Sequence, residues 1–254
     1  FEAARKAAGT AIGRADAVGP LFGDVYRGIA LSLESLAPDA GYRERLRDHT
    51  RNAIAMVASD EYWRRQQAGF DALLAAWLAA GNGQIALARE AIVAAQPVVA
   101  EAGIPVVDHM LRTAQAALAL AEGRAAESVA TLEAHLDGSE LFLTRITYAA
   151  ALAEVGRAAD AIAAYEWLVA HRGRAWAEYN SYQMLRPLNV AWSTLALLRA
   201  AEVAQASTQP DQALRLRTRF ETLWRAEDLP RALAARLEAL QRPDPEPPAA
   251  RGKP

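Results

Sequence analysis

The sequence predicts an all-α protein, and three observations support that fold class. Alanine makes up 61 of the 254 residues, and alanine has the highest helix propensity of all residues. Apolar residues recur at intervals of three and four, and no segment alternates with period two over the length of a strand. With 52% hydrophobic residues, the chain can bury a core, which excludes an intrinsically disordered protein.

Local signals define each helix in the first half of the chain. Gly-Pro and Pro-Asp pairs precede the first two helices, and an acidic stretch at 59–61 precedes a long third one. Glycines at 81 and 83 end the third helix, and residues 103–105, which contain a glycine and a proline, separate the next two. The predicted segments are 20–36, 42–57, 59–80, 84–100 and 106–121.

The second half of the chain is divided in the same way. Gly123, Gly138 and Gly156 separate short helices, and an irregular piece at 171–187 interrupts them. Connections of about two to five residues between helices of similar length predict antiparallel neighbours. The predicted segments are 125–136, 140–154, 158–171, 187–206, 211–225 and 231–241.

The chain is predicted to have three parts. Residues 1–58 form an N-terminal helical segment that continues into an array of helical repeats and a capping helix at 59–241. Residues 242–254 contain five prolines, which lack an amide donor and restrict their neighbours, so we expect a flexible tail there.

Composition excludes several classes of function. The absence of cysteine rules out disulfides, a thiolate nucleophile and cysteine-based metal sites. The net charge of −2 gives no strong nucleic-acid signal. The apolar run at 72–80 is shorter than the ~20 residues of a membrane span, and no secretory signal is present, so we expect a cytoplasmic protein.

No motif indicates catalysis. The four histidines are scattered and form no HExxH pair, and GxGxxG, GxxxxGK[ST] and GxSxG are absent. Acidic residues mostly alternate with arginines at helical spacing, which is typical of solvated helix faces. We therefore expect a protein that is not an enzyme and that needs no metal or cofactor.

Two segments of the chain repeat. Residues 123–136 align without gaps on residues 156–169. A fainter copy begins at Gly83, where Ala88 is in register with Ala161, and another begins near Thr208. Self-similarity at this period is typical of repeat proteins built from helix hairpins.

These residues resemble the tetratricopeptide repeat, a helix–turn–helix unit of about 34 residues. The turn glycine, the small residue at the helix contact and the following aromatic match the family at Gly156, Ala161 and Tyr165. The first-helix Trp-x₂-Leu-Gly-x₂-Tyr signature is absent, so the repeats are degenerate. The residues assigned to the repeat framework are Gly83, Ala88, Gly123, Gly156, Ala161 and Tyr165.

The resemblance implies an α–α superhelix with a C-terminal capping helix. The stretch 219–230 resembles the closing repeat of bacterial signalling and regulatory proteins, which implies a regulatory or scaffolding module that binds proteins. Because the chain begins at Phe1, we expect it to be a segment of a longer polypeptide. Its partner would then be a separate protein or the parent chain's own effector domain. The alternative is a small-ligand-sensing domain of a transcriptional regulator, kinase or cyclase.

Helical register predicts a concave wall formed by the first helix of each repeat. The wall is apolar, and two interpretations stay open: it is core in a short, closed superhelix, or it is a groove for a partner helix. The candidate partner-binding residues are Phe70, Leu73, Trp77, Met110, Thr113, Ile146 and Glu154.

The irregular piece at 171–187 combines aromatic residues with arginines, a composition enriched at interaction hot spots. The same residues fall at near-helical spacing, so an extra helix packed on the repeats explains them equally well. The candidate partner-binding residues of this insert are Arg174, Trp176, Tyr179, Tyr182 and Arg186.

Overall fold

The computed structural model of the chain describes residues 6–7, 9–12, 14, 20–178 and 185–241. Within these residues the regular secondary structure is helical and no β-strand occurs, which confirms the all-α prediction. The proline-rich segment 242–254 lies outside the described residues, as do Tyr179 and Tyr182 of the insert.

Most helices begin and end within a few residues of the predicted boundaries, because glycine, proline and acidic first turns act locally. A short 3₁₀ turn, Ala226–Asp228, precedes the last helix. The helices are α1 (Pro20–Glu34), α2 (Tyr42–Val57), α3 (Tyr62–Gly81), α4 (Ile85–Ala102), α5 (Pro105–Ala121), α6 (Ala125–Glu133), α7 (Phe142–Glu154), α8 (Ala158–Ala170), α9 (Arg172–Ala177), α10 (Arg186–Ala206), α11 (Pro210–Glu221) and α12 (Arg231–Ala239).

Residues 134–141 form a loop, although the sequence assigned both ends of this stretch to the two flanking helices. Its side chains accept hydrogen bonds from its own backbone. The Glu140 carboxylate accepts one from the amide of Gly138 at 2.6 Å, and Asp137 accepts one from the amide of Ser139 at 2.9 Å. Such local bonds offer the backbone an alternative to the helix, so α6 ends early and α7 starts late.

The helices pack in successive pairs. In four of these pairs the first helices are α3, α5, α7 and α10, and the second helices are α4, α6, α8 and α11. Each first helix contacts its own second helix, and it also contacts the next first helix along the chain. Each second helix contacts the first helix of the following pair. Because paired helices are antiparallel, the first helices all run in one direction, and their amino-terminal ends share one end of the molecule.

The turn inside each of these four pairs has the same backbone geometry. Gly83, Gly123 and Gly156 have φ between +70° and +79°. The residue after each glycine donates its amide to a carbonyl oxygen five positions earlier, at 2.8 to 3.0 Å, which is the Schellman arrangement at a helix C-terminus. In the fourth turn this position is Thr208, with φ of +56°, and it is the only non-glycine residue with positive φ in the described ranges.

Small residues lie where the second helices approach their neighbours. Five positions after the turn residue, Ala88, Ser128, Ala161 and Ala213 are all buried. Tyr165, which follows Ala161 by one helical turn, is 3% exposed. Ala88, Ala161 and Tyr165 are residues that the repeat alignment assigned to the framework, and all three are buried.

Helix α1 connects distant parts of the array. Helix α1 packs against α2 and α3, and it also contacts α10, which lies three pairs further along the array. At the other end, the Arg236 guanidinium of α12 forms two hydrogen bonds to Glu202 of α10, at 2.7 and 2.8 Å. Helix α10 is therefore contacted by both α1 and α12. Helix α1 bridges the first and last members of the row of first helices.

We expect Thr208→Gly to raise the free energy of unfolding by about 0.5–1 kcal/mol, because relief of a left-handed conformation exceeds the added flexibility of the unfolded chain. Gly156→Ala makes the reverse change at an equivalent turn. No atom lies within 4 Å of the added Cβ, so the only strain comes from the backbone φ of +77°. The free energy of unfolding should fall by about 1 kcal/mol. Urea titration followed by circular dichroism measures both. A loss of stability in Thr208→Gly would contradict the equivalence of the four turns.

Ser128→Ala is expected to stabilise the protein. The Ser128 hydroxyl is buried and has no hydrogen-bond partner within the described part of the chain, and an unsatisfied buried hydroxyl costs about 1–3 kcal/mol. Alanine occupies the equivalent position in the other three pairs. The control is Ser193→Ala, which removes a buried hydroxyl that donates to the Val190 carbonyl at 2.7 Å and should not raise the melting temperature. Equal shifts in the two variants would refute the explanation.

Candidate functional site: a central cleft and an aromatic rim

A cleft of about 640 Å³ lies between the first helices and reaches their carboxyl-terminal ends. Trp77 of α3, Ile146 of α7 and Trp192 of α10 line it, and Leu36 and Leu233 close it from the two ends of the chain. Its wall is largely apolar. Small residues account for much of the lining and leave the space open: Ala80, Gly81, Ala117, Ala121, Ala150, Ala153 and Ala206. We call this space the central cleft.

Polar groups gather at one part of the central cleft. Arg236 and Arg199 both bond to the Glu202 carboxylate, Arg199 at 3.2 Å. Tyr165 lines the same part, and burial raises the pKa of Tyr165 to about 12. The phenol is therefore a proton donor at neutral pH. Glu154, which is exposed, lines the same part.

The predicted concave wall is divided between the core and the central cleft. Four of its seven residues have no exposed area and so fit the core interpretation rather than an open groove: Phe70, Leu73, Met110 and Thr113. A fifth, Ile146, is buried and borders the central cleft. The structure brings Trp77 and Glu154 to the central cleft instead. The Trp77 indole N–H donates to Thr147 at 2.8 Å, which fixes the orientation of its ring.

A second surface lies at the opposite end of the first helices. Four large apolar side chains are exposed there: Tyr62 and Trp63 (both 53%), Ile104 (41%) and Trp176 (67%). We call these residues the aromatic rim. Arg64 lies over the Trp63 ring, with 5.3 Å between its guanidinium carbon and the ring centre. Such cation–π contacts hold an exposed ring in place.

Hydrogen bonds connect the loops that carry the aromatic rim. Arg65, beside Trp63, pairs with Glu101 at the end of α4 at 2.8 Å. His109, near Ile104, bonds to Ser139 at 3.3 Å. These bonds join segments that are distant in sequence, so the rim residues belong to one end of a connected structure.

The insert is partly a short helix, α9, and partly outside the described residues. Of its candidate residues, Trp176 is exposed in the aromatic rim, and Arg186 is half-buried at the start of α10. Arg174 bonds within the chain, to the carboxylate and backbone carbonyl of Glu140. A short helix is therefore present at Arg172–Ala177, and its Trp176 ring is exposed.

A polar network beneath the insert was missed by the sequence analysis. Glu140 is fully buried and accepts a bond from Arg145 at 2.8 Å. Burial would raise the pKa of Glu140, but the bond from Arg145 and the backbone bonds outweigh it, and the pKa lies below its ordinary value. The Arg145 guanidinium lies 4.4 Å from the centre of the Trp167 ring. No sequence motif joins these residues, since Arg174 follows Glu140 by 34 positions.

Glu178 fixes the end of the insert. Its carboxylate accepts the Phe142 amide, at the start of α7, at 2.8 Å, and the Asn189 side chain of α10 at 2.7 Å. Burial raises the pKa of Glu178, and these two bonds oppose the rise only in part. A carboxylate at a helix N-terminus is also stabilised by the helix dipole. The insert therefore joins two first helices next to the aromatic rim.

One buried ion pair lies away from both surfaces. His49 of α2 bonds to Asp71 of α3 at 3.1 Å, with side-chain exposures of 3% and 7%. Burial alone would lower the pKa of His49, but the Asp71 carboxylate outweighs burial, and the pKa is raised above its ordinary value. Asp24 adds to the rise and Arg27 opposes it. In the described ranges no three His, Cys, Asp or Glu side chains come together as a metal site.

Comparisons of this chain with protein-family models, curated proteins and solved structures gave no match. No helix in the described part of the chain combines the length and apolar character needed to cross a bilayer.

The His49–Asp71 pair predicts a pH-dependent contribution to stability. Because the folded pKa of His49 is raised, the contribution is complete below the ordinary pKa of about 6.5 and is lost as pH rises through the folded value. Thermal unfolding of the wild type and of Asp71→Asn tests this pH dependence. Melting temperatures are measured between pH 5.5 and 9, at intervals of about 0.5 pH units. Their difference in melting temperature should shrink with rising pH. The exposed His171→Gln serves as control, and a constant difference for Asp71→Asn would contradict the linkage.

Proposed function

We propose that the chain is a degenerate tetratricopeptide-like module, arranged as an α–α superhelix, that acts by binding a protein. Four equivalent turns and buried small residues five positions later support the repeat assignment. The contacts of each first helix with its own second helix and with the next first helix also fit stacked hairpins. The proposed setting is a cytoplasmic bacterial signalling protein, and the proposed role is regulatory or scaffolding rather than catalytic.

The observation that carries the proposal is the aromatic rim. Tyr62, Trp63, Ile104 and Trp176 are four of the eight large hydrophobic residues with substantial exposure in the described chain, and all four lie at the end defined by the amino termini of the first helices. Tryptophan, tyrosine and arginine are enriched in protein interfaces, where the aromatic rings contribute most of the binding energy.

The aromatic rim replaces the concave wall as the proposed partner surface. Phe70 and Met110 have no exposed area, so a partner could reach them only after α1 and the first helices separate. Trp63 and Trp176 need no such rearrangement. The proposed occupant is a separate protein or an effector domain of the same polypeptide.

Trp63→Ala with Trp176→Ala tests the rim. Both side chains are more than half exposed, so the melting temperature should change little, whereas partner retention should fall at least tenfold, an effect of about 1.4 kcal/mol. Affinity capture with quantitative mass spectrometry compares the wild type and the double variant. A longer polypeptide that contains this chain and retains fewer proteins than residues 1–254 alone would indicate an intramolecular partner.

The matched control carries Leu214→Ala and Leu223→Ala, which remove two exposed leucines from α11 and the loop after it. This control should retain the same proteins as the wild type. If both double variants lose the same proteins, binding depends on general surface hydrophobicity and the rim is not the site. If neither loses any protein, the proposed rim function is wrong.

A further inference from the structure

We propose that the central cleft binds a small amphiphilic carboxylate, with its apolar body between Trp77 and Trp192 and its anionic head at Arg199 and Tyr165. This function is separate from protein binding at the aromatic rim, because the two sites lie at opposite ends of the first helices. Protein binding at the aromatic rim does not depend on ligand binding in the central cleft.

The size and closure of the central cleft favour a small molecule. A volume of about 640 Å³ lies within the ~300–1,000 Å³ typical of small-ligand pockets. Helix α1 contacts both α3 and α10, and Leu36 after α1 lines the cleft. A partner helix, which is about 10–12 Å wide with its side chains, would have to displace this closure. A single acyl chain or aromatic ring system would fit without displacing α1.

The wall suits an apolar ligand body. Two indole rings, Trp77 and Trp192, line the cleft with Ile146 and Leu195. Trp77 is held in place by its bond to Thr147 at 2.8 Å. A preformed apolar wall binds an apolar body without ordering flexible side chains, which limits the entropic cost of binding.

The polar part of the central cleft carries two guanidinium groups, those of Arg199 and Arg236, beside the carboxylates of Glu202 and Glu154. Arg199 and Arg236 share the single carboxylate of Glu202, so this group of three carries one excess positive charge. The Arg199 side chain is 46% exposed and uses Nη1 for Glu202, which leaves other N–H groups for a ligand. Tyr165 also lines the cleft, and its hydroxyl can act as a further donor. Guanidinium and phenol groups together recognise a carboxylate.

Glu154 limits the charge that the site accepts. It is exposed, lines the cleft and acts on the Tyr165 phenol together with Arg199, Glu202 and Arg236. With this carboxylate present, the five groups carry no net charge. A monoanionic head can pair with Arg199, whereas a dianion such as a phosphate monoester would be repelled by Glu154. The charge arrangement therefore favours a monocarboxylate over more highly charged anions.

Octanoate, octanol and octylammonium share one apolar chain and differ in the charge of the head group, so they separate the contributions of body and head. Isothermal titration calorimetry with the whole 254-residue chain is the measurement. We expect octanoate to bind at least about tenfold more tightly than octanol, and octylammonium to bind most weakly. Equal affinity of octanoate and octanol would overturn the anionic head assignment. Tightest binding of octylammonium, or no binding of octanoate, would also overturn the proposal.

Three variants locate the site. Arg199→Gln should weaken octanoate binding about five- to tenfold and leave octanol unchanged, while Glu154→Gln should strengthen octanoate binding several-fold. Ala150→Leu fills the cleft from α7 and should abolish binding of both compounds. Arg215→Gln, which removes a 57% exposed arginine from α11, is the matched control and should bind like the wild type.

The folding of each variant is checked by its circular dichroism spectrum and melting temperature. If Ala150→Leu does not fold, Ala121→Leu fills the same cleft from α5 and takes its place. A folded filling variant that still binds octanoate with wild-type affinity places the carboxylate elsewhere and refutes the proposal. The Trp63→Ala, Trp176→Ala double variant should bind octanoate normally, so failure of the rim proposal and failure of this one give different results.

Discussion

The close approach of neighbouring helices is the constraint on which the rest of the structure depends. At Gly69 of α3, an added Cβ would lie 2.9 Å from Cγ1 of Val98 in α4, so even alanine would displace the contact. Ala88 and Ala161 meet a similar demand in the second helices and are fully buried. Side-chain size at such contacts sets the distance between helix axes. The abundant alanine therefore brings the helices together in the core, and it also leaves the central cleft unfilled.

Local signals determined how much of the fold could be predicted. Helix α2 has the bounds read from the sequence, Tyr42–Val57, because the signals that begin and end a helix lie within a turn of its ends. Three of the four equivalent turns are marked by glycine. The fourth could be found only by register, since threonine at 208 is not a turn signal, and the structure shows that its backbone is the same.

The candidate sites were harder to predict, because helical periodicity identifies an apolar face but not what covers it. Phe70 and Met110 would give the same pattern on an open groove as in a core, and the packing of α1 and the first helices decides between these alternatives. The aromatic rim and the Glu140–Arg174 bond depend on loops that meet only after folding. Ser128 stands at the small-residue position of its repeat, but whether its hydroxyl finds a partner among the described residues is a property of its surroundings.

The contact between α1 and α10 has a consequence for how the chain unfolds. In an open row of hairpins each unit touches only its neighbours, so the terminal units fray first and unfolding spreads inward. Here helix α1 contacts α10, which belongs to the last pair. Neither end of the row can therefore detach without breaking a contact between residues far apart in sequence. The array is therefore expected to melt as one cooperative unit, and to fold more slowly than a row of the same length with free ends.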